Sequence, residues 1–357
     1  MSIKSKKYVQ ASVIKKINAQ YIILLGGRNN GKSYAVDETC IDDAWNNNKH
    51  FAYIRRYDRD NRDTLNTEYF ADKTELVKRI TNNECNCITV YHKKIYFASQ
   101  DMETGKIEKV RECGRCFSIA EGEHFKSLQF PNIYNIIFEE FVSESGTYLN
   151  NEVNRFQDVI SSILRGREGH VYMIGNTISR ICPYYSEWGL NKSVKKAVIG
   201  SIDYYNFNDG KTQLALYFTA PLDYPASMFI GNYSKTIKGE SFRQDTHPHL
   251  DKPYRKYTVL YTMVFMYSPD NMFLMEFLHD EESPNIYTWY VTPKTTPIQN
   301  GTRVVSPIFN MSALWTTKFI PISDSEKKII DFLKIKKICS SDNLTGTEFY
   351  QCLDMLH

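Results

Sequence analysis

The sequence lacks any long apolar run: no stretch of its 357 residues approaches the roughly 18 apolar residues that cross a membrane. It has no internal repeat and no low-complexity tract, so it is not a repeat protein. Its net charge is only +3, which excludes a general polycation but leaves local basic surfaces open. The N-terminal Lys4, Lys6 and Lys7 precede no apolar segment, which excludes a secretory signal. These absences predict a soluble intracellular protein without a membrane partner.

The composition is that of a globular protein, with 42% apolar and 14% aromatic residues. The length allows more than one domain. Eight cysteines in a chain without a signal peptide indicate free thiols rather than a disulfide framework. The alternative is a structural zinc site formed by two pairs, although a CxC spacing is unusual for zinc and both pairs lie in predicted strands. Those pairs are Cys85 with Cys87 and Cys113 with Cys116.

Two regions of different pattern follow each other along the chain. In the first half, apolar strands alternate with helical patterns, which predicts an α/β fold with a mostly parallel sheet. Its strands are predicted at 21–25, 51–54, 134–138 and 171–174, with part of a hairpin at 88–99 and helices at 33–45 and 151–164.

After about residue 225 the pattern changes to three successive strands joined by short turns. These strands are predicted at 257–266, 272–278 and 286–291, and a helix is predicted at 325–333. We therefore expect a first domain at 1–219, a linker at 220–234 and a smaller α+β domain at 235–357.

One segment matches the phosphate-binding pattern G-x-x-x-x-G-K-[ST] completely, between a predicted strand and a predicted helix. It consists of Gly26, Gly27, Arg28, Asn29, Asn30, Gly31, Lys32 and Ser33. Glycines let backbone N–H groups surround phosphates, and the helix N-terminus adds partial positive charge. Lys32 is expected to reach the β- and γ-phosphates, and Ser33 to contact Mg²⁺. The segment predicts ATP and Mg²⁺ as cofactors.

Two carboxylates, Glu139 and Glu140, end a predicted buried strand. In a parallel sheet the carboxyl ends of strands meet at the ligand-binding edge, beside the phosphate loop. We expect Glu139 to hold the hydrated Mg²⁺ and Glu140 to orient the attacking water. The alternative is that both carboxylates are simply solvated at the end of the strand.

Several further polar residues occupy positions where they could complete a nucleotide site. Asn176 ends the next predicted strand and could sense the γ-phosphate, although Asn is also an ordinary turn residue. Arg165 and Arg167 could act as arginine fingers from a neighbouring subunit, or could form a basic loop. Arg56 ends the second strand and could face the nucleotide, DNA or acidic partners. Lys126 could act in trans or be a solvated lysine.

These segments together resemble the DNA-encapsidation ATPases of small tailed phages with protein-primed genomes. Those ATPases are compact relatives of large terminase subunits within the additional-strand catalytic-glutamate class. The resemblance covers about residues 20–180. Its residues are Leu-Leu-Gly-Gly-Arg-Asn-Asn-Gly-Lys-Ser at 24–33, Tyr-Ile-Arg-Arg at 53–56, Ile-Ile-Phe-Glu-Glu-Phe at 136–141, Arg-Gly-Arg at 165–167 and Met-Ile-Gly-Asn at 173–176.

The resemblance implies a homomeric ring, expected to be a pentamer, that pumps double-stranded DNA through the portal of an empty capsid. It implies a location in the host cytoplasm and transiently at the portal vertex, with absence from the mature virion. Lys126 resembles the family's trans-acting lysine, and Arg167, with Arg165 as the alternative, resembles its arginine finger. Glu139 stands where the family usually has Asp.

The C-terminal part resembles the ribonuclease-H-like domain of terminases, whose first strand carries a metal-binding acid. Here the predicted strand 257–266 has none, and Glu276, Asp280 and Glu281 lie in or after the next strand. We therefore predict a vestigial nuclease domain that does not cut DNA. By resemblance it could contact the portal or a phage structural RNA, and its lysines could serve that contact or simply form a solvated face. The lysines are Lys327, Lys328, Lys334, Lys336 and Lys337.

Two other functions remain as alternatives. One is a terminase that still cuts DNA, and the other is a helicase or plasmid-partition ATPase with no capsid partner. A module that binds ATP without hydrolysing it is the non-enzymatic alternative.

Overall fold

The computed structural model describes residues 8–101, 103–221, 232–250, 256–283, 286–335 and 337–356. Within these ranges the chain forms two compact units. The first takes residues from 1–143, 148–178 and 197–242, and the second takes residues from 144–147, 179–196 and 243–357. Among the described residues, no helix has the length and apolar character needed to span a membrane.

The strands of both units are numbered in chain order. They are β1 (Tyr21–Gly26), β2 (His50–Arg55), β3 (Cys87–Tyr91), β4 (Lys94–Gln100), β5 (Ile107–Ser118), β6 (Ile133–Glu139), β7 (His170–Asn176), β8 (Ile202–Phe207), β9 (Thr212–Phe218), β10 (Tyr257–Ser268), β11 (Asn271–Asp280), β12 (Tyr287–Pro293), β13 (Val304–Val305), β14 (Trp315–Thr316) and β15 (Ile338–Ser340).

The α-helices are numbered in the same way. They are α1 (Ala11–Ile14), α2 (Lys32–Asn46), α3 (Asp63–Tyr69), α4 (Thr74–Ile80), α5 (Glu152–Leu164), α6 (Pro183–Glu187), α7 (Asn191–Lys196), α8 (Asn232–Lys238), α9 (Asp324–Lys334) and α10 (Asn343–Asp354). Three 3₁₀ turns lie at 58–60, 71–73 and 122–125.

The first unit is built on a nine-stranded sheet in the order β3-β4-β5-β2-β6-β7-β1-β9-β8. Six neighbouring strands, from β5 to β9 in that order, are parallel, and antiparallel pairs extend both edges. The central strand β1 is apolar along its length because both faces of a parallel sheet are covered. Its residues Ile23, Leu24 and Leu25 are 0% exposed, and each such side chain contributes about 1.5–3 kcal/mol on burial. The predicted mostly parallel α/β sheet is confirmed.

The second unit contains a six-stranded sheet in the order β14-β13-β10-β11-β12-β15. The three long strands β10, β11 and β12 are antiparallel, as their short turns predicted, and the short β13, β14 and β15 add in parallel. Helix α9 begins after Ser323, whose hydroxyl accepts a hydrogen bond from the N–H of Glu326 and caps the helix.

The division of the chain differs from the expected boundaries at two places. Residues 179–196, which include α6 and α7, were expected in the first domain but belong to the second unit. Residues 235–242 were expected in the second domain but belong to the first unit. Most of the expected linker, 222–231, lies outside the described residues.

Candidate nucleotide-binding site

The phosphate loop connects β1 to α2, in the strand-to-helix context that its motif requires. Gly31 adopts φ +86°, a left-handed conformation that favours glycine, directly before the first residue of α2. Gly27 lies against the main chain at the end of α8: a Cβ there would lie 2.3 Å from the carbonyl carbon of Lys238. The N–H of Arg28 donates to the carbonyl of Ile237 over 2.8 Å. The end of α8 therefore supports one side of the loop.

The Lys32 ammonium lies inside the loop. Its Nζ donates to the carbonyls of Gly26 and Gly27 over 3.2 and 2.5 Å, and to the Oδ1 atoms of Asn30 and Asn176 over 3.1 and 3.4 Å. Burial lowers the pKa of Lys32 to about 8, against the opposing charge of Glu139. A polyphosphate at this position would supply the negative charge that a buried ammonium needs.

The two adjacent acids at the end of β6 have different surroundings. Glu139 is buried, and its carboxylate hydrogen-bonds to the hydroxyls of Ser33 and Tyr69. Burial raises the pKa of Glu139 above its ordinary value. Glu140 is exposed, has φ +57°, and accepts a 2.9 Å hydrogen bond from Arg55 Nη2. One acid therefore faces the phosphate loop, and the other lies at the surface on a left-handed turn.

The turn after the acids is held by Arg56. Its Nε donates to Glu152 over 2.8 Å, while Nη1 and Nη2 donate to the carbonyls of Glu140 and Phe141 over 3.3 and 2.7 Å. The structure thus places Arg56 beneath the acidic turn, in contact with its main chain. Its expected contact with nucleotide stays a prediction.

Asn176 meets Lys32, as expected for polar residues at the carboxyl ends of neighbouring parallel strands. Strands β6, β7 and β1 lie side by side, with Glu139 opposite Ile174 and Gly26 opposite Asn176. The Asn176 amide is therefore in contact with the lysine of the loop, and its role as a sensor stays a prediction.

The three candidate trans-acting cations lie together on one part of the first unit. Arg165 Nη2 donates to the carbonyls of Lys126 and Leu128 over 2.9 and 3.0 Å. Arg167 donates to four main-chain carbonyls, including those of Phe130 and Ile163 over 2.7 and 2.9 Å. The Lys126 ammonium is exposed and pairs with its neighbour Glu123. Arg165 is the more exposed arginine, since the Arg167 guanidinium is held on the main chain.

The model of the podovirus DNA encapsidation protein (Gp16) family matches residues 4–203. The chain belongs to this family. A DNA packaging protein of Bacillus phage PZA is 22% identical over 285 residues, which cover 74% of this chain and 77% of that protein. A DNA packaging protein of Bacillus phage B103 is 28% identical over 176 residues, or 48% of this chain and 49% of that protein, so the match spans about half of the relative's length.

A similar fold occurs in a chain of the bacteriophage Phi-29 viral genome packaging motor assembly. The two chains share 16% identity and a TM-score of 0.60, with 98% of this chain and 100% of that chain covered. The likeness of fold covers residues of both units.

Some residues around the site of this encapsidation-family member carry no motif that would predict them. Thr219, just after β9, accepts a 2.6 Å hydrogen bond from Asn30 Nδ2 and donates to the carbonyl of Leu25 over 2.9 Å. Tyr69 donates to Glu139 from another side, and Asp37 and Lys73 form an ion pair beside the Tyr69 hydroxyl. Only Asp37 had a sequence signal, because it follows Ser33 by four residues and so shares its face of the helix.

The carboxylates considered for a nuclease in the second unit do not form a cluster. Glu276 lies within β11, opposite Thr262 and Tyr290, while Glu281 accepts a hydrogen bond from the Thr258 hydroxyl. In the part of the chain that the structure describes, no three His, Cys, Asp or Glu side chains are grouped to hold a metal ion. The eight cysteines are free thiols. Inactivity as a nuclease stays a prediction.

Proposed function

We propose that this protein hydrolyses Mg·ATP to move double-stranded phage DNA into a preformed capsid through its portal. The observation that carries the proposal is the contact of three elements of one site. Lys32 lies in the phosphate loop, and Ser33 follows it in the first turn of α2. The Ser33 hydroxyl is hydrogen-bonded to the carboxylate of Glu139, at the end of β6. Membership of the DNA encapsidation family supports the packaging role.

The residues present fit a magnesium nucleotide. A hydroxyl and a carboxylate in contact are the oxygen ligands that Mg²⁺ prefers, and the remaining ligands of such sites are phosphates and water. When bound, the ion offsets negative charge on the phosphates. Ser33 and Glu139 would hold it, and Lys32 would bind the β- and γ-phosphates. Asn176, bonded to Lys32, would respond to the presence of the γ-phosphate.

Glu140 is proposed to orient the attacking water. Its left-handed backbone is fixed by Arg56 from below, and its carboxylate is at the surface, where only Arg55 needs to release it. A carboxylate that turns from an exposed ion pair loses little, because such pairs contribute about 0–1 kcal/mol. The Glu140 carboxylate can therefore leave Arg55 and turn towards an attacking water at little cost in free energy.

A homomeric ring, expected to be a pentamer, would complete each site with a cation from the neighbouring subunit. Arg165 fits this role better than Arg167, because its side chain is the more exposed and donates to two carbonyls of its own chain, whereas Arg167 donates to four. Arg167 would instead hold residues 130 and 131 in place. Lys126, whose carbonyl binds Arg165, would lie beside the finger. If each site needs a cation from the neighbouring subunit, the subunits would hydrolyse ATP in sequence around the ring.

The ring would grip DNA through phosphates rather than bases, because a pump must accept any sequence. The second unit is proposed to be a ribonuclease-H-like domain that has lost its nuclease, with an acid-free first strand β10. It would contact the portal or a structural RNA through α9 and its end. Lys327, Lys328, Lys334 and Lys337 are exposed there, and Lys336 lies outside the described residues. We propose residence in the host cytoplasm and, during packaging, at the portal vertex.

The test is protection of DNA from added nuclease by purified empty capsids, this protein and ATP. We expect protection with the wild type and its loss with Lys32→Ala, because the phosphate loop then lacks its cation. Protection without ATP, or none with any capsid, would contradict packaging. Unwinding of a forked duplex would favour a helicase, and nicking with Mn²⁺ would favour an active nuclease.

A further inference from the structure

A tyrosine outside every recognised motif contacts the proposed metal-binding carboxylate. Tyr69, the last residue of α3, donates from its hydroxyl to Glu139 Oε1 over 2.9 Å. The same hydroxyl lies 3.2 and 3.1 Å from Oδ1 and Oδ2 of Asp37. A phenol has a single proton to donate, so the carboxylates of Glu139 and Asp37 compete for it.

Asp37 and Lys73 fix that hydroxyl from behind. Asp37 is fully buried on α2, and Lys73, in the 3₁₀ turn 71–73, is 4% exposed. The Lys73 ammonium lies 3.5 Å from Asp37 Oδ2 and 5.5 Å from the centre of the Tyr69 ring. The same ammonium also pairs with Asp72 over 2.5 Å, so it offsets only part of the negative charge of Asp37 beside the hydroxyl.

The Tyr69 ring is itself fixed by aromatic neighbours. Its centre lies 4.7 Å from that of Tyr53 on β2 and 4.9 Å from that of Phe70. Such pairs add about 0.5–1.5 kcal/mol beyond their buried area. The hydroxyl is therefore held at one place by packing as well as by hydrogen bonds.

A buried ion pair is costly and is weak support for stability alone, so its position is informative. This one stands behind a carboxylate that also contacts Ser33, the other proposed metal ligand. Glu139 is thereby held between two hydroxyls, one from the phosphate-loop helix and one from α3. A carboxylate with both contacts has one orientation rather than a choice of rotamers.

We propose that Tyr69, held by Asp37 and Lys73, is a positioning residue that directs the Glu139 carboxylate at the Mg²⁺ of bound nucleotide; this inference rests on the proposed ATPase function. It also gives a reason for the glutamate. An aspartate would end one methylene earlier on β6 and would leave the Tyr69 hydroxyl without this partner.

The test measures the Mg²⁺ concentration that half-saturates binding of a fluorescent ATP analogue to the full chain. Tyr69→Phe keeps the ring and its packing and removes only the hydroxyl. Loss of a hydrogen bond to a charged group should raise that concentration about tenfold. Binding of the analogue in EDTA should stay unchanged. Tyr172→Phe, which removes a buried hydroxyl from β7, is the matched control and should have no effect.

A double-mutant cycle separates positioning from general support of the fold. In Glu139→Asp, the shorter side chain no longer reaches the Tyr69 hydroxyl. Adding Tyr69→Phe to this variant should therefore change the Mg²⁺ requirement less than about twofold. An equal rise in both backgrounds, or no rise in either, would overturn the inference. If the wild type binds the analogue without any dependence on Mg²⁺, the proposed function itself fails, whatever Tyr69 does.

Discussion

The two units of this protein bury charge in different ways. In the second unit, Arg303 and Glu326 form a 2.8 Å pair with 4% and 2% of their side chains exposed. Arg303 also donates to the carbonyls of Val304, Leu314 and Ile320, and Glu326 accepts from the Ile322 N–H and the Tyr261 hydroxyl. The pair is thus bonded largely to main chain and fixes the loop between β13 and α9.

In the first unit, buried charges converge on one another at the carboxyl ends of the strands. Lys32, Asp37, Lys73 and Glu139 all lie within contact of hydroxyls or other charged groups near the phosphate loop. Charge that is bonded to main chain holds a loop, whereas several charges gathered around oxygen ligands prepare a site for a cation and a polyanion. The first unit contains both arrangements, because its buried Arg56–Glu152 pair also binds main-chain carbonyls. The gathered charges are the ones that we propose to form the nucleotide site.

The largest expected effect is on catalysis in the first unit. Glu140→Gln keeps the size of the side chain but removes the carboxylate proposed to orient water, so ATP turnover should fall at least about 1000-fold. Binding of the nucleotide should persist, because Lys32, Ser33 and Glu139 remain. Phosphate release and equilibrium binding measure the two quantities. Turnover at the wild-type rate would remove Glu140 from its role.

The next effect is on the stability of the second unit. Glu326→Gln leaves the buried Arg303 without its counter-charge, which should lower the free energy of unfolding by about 3 kcal/mol. Urea unfolding followed by tryptophan fluorescence reports it, since Trp188, Trp289 and Trp315 lie in this unit.

Glu282→Gln, at an exposed pair with Lys256, is the matched control and should cost under about 1 kcal/mol. ATP binding should be unchanged in both variants, since the pair has no part in the nucleotide site. A weakened nucleotide affinity in Glu326→Gln would contradict the claim that the Arg303–Glu326 pair has no part in the nucleotide site.

A smaller effect concerns pH. Burial lowers the pKa of Lys32 to about 8, from an ordinary value of 10.5. Between these values the unfolded chain binds more protons than the folded one, so this group's contribution to stability rises with pH from about 8 to 10.5. Binding needs the protonated lysine, so ATP affinity should fall about tenfold for each pH unit above 8. Titration of the dissociation constant from about pH 7 to 9.5 checks this, and a flat profile would contradict it.

Strand and helix positions followed closely from local apolar patterns. The predicted strands at 51–54 and 134–138 and the helix at 151–164 agree with β2, β6 and α5 within two residues. The order of strands did not follow, because periodicity does not encode the partner of a strand. β5 lies between the β3–β4 hairpin and β2, and β9 lies beside β1, from distant parts of the chain.

The motif residues of the site were predictable, but their supporting residues were not. Lys32, Ser33 and Glu139 are marked by spacing and by their place after a strand. Tyr69 lies in a stretch with no motif, and its role depends on α3 meeting β6, residues 70 positions apart in the chain. The compact units differ from the expected domains at 179–196 for a similar reason, since those residues pack by long-range contacts such as that of Lys195 with Glu348.

A structure of this protein with Mg²⁺ and a non-hydrolysable ATP analogue would decide whether this site is a nucleotide site. We expect the triphosphate inside residues 26–33, with Mg²⁺ about 2.1 Å from Ser33 Oγ and Glu139 coordinating it directly or through water. We also expect Glu140 to leave Arg55 and to lie within about 3 Å of a water in line with the γ-phosphate. Nucleotide bound elsewhere, or Glu140 directed away from the γ-phosphate, would contradict the proposed ATPase.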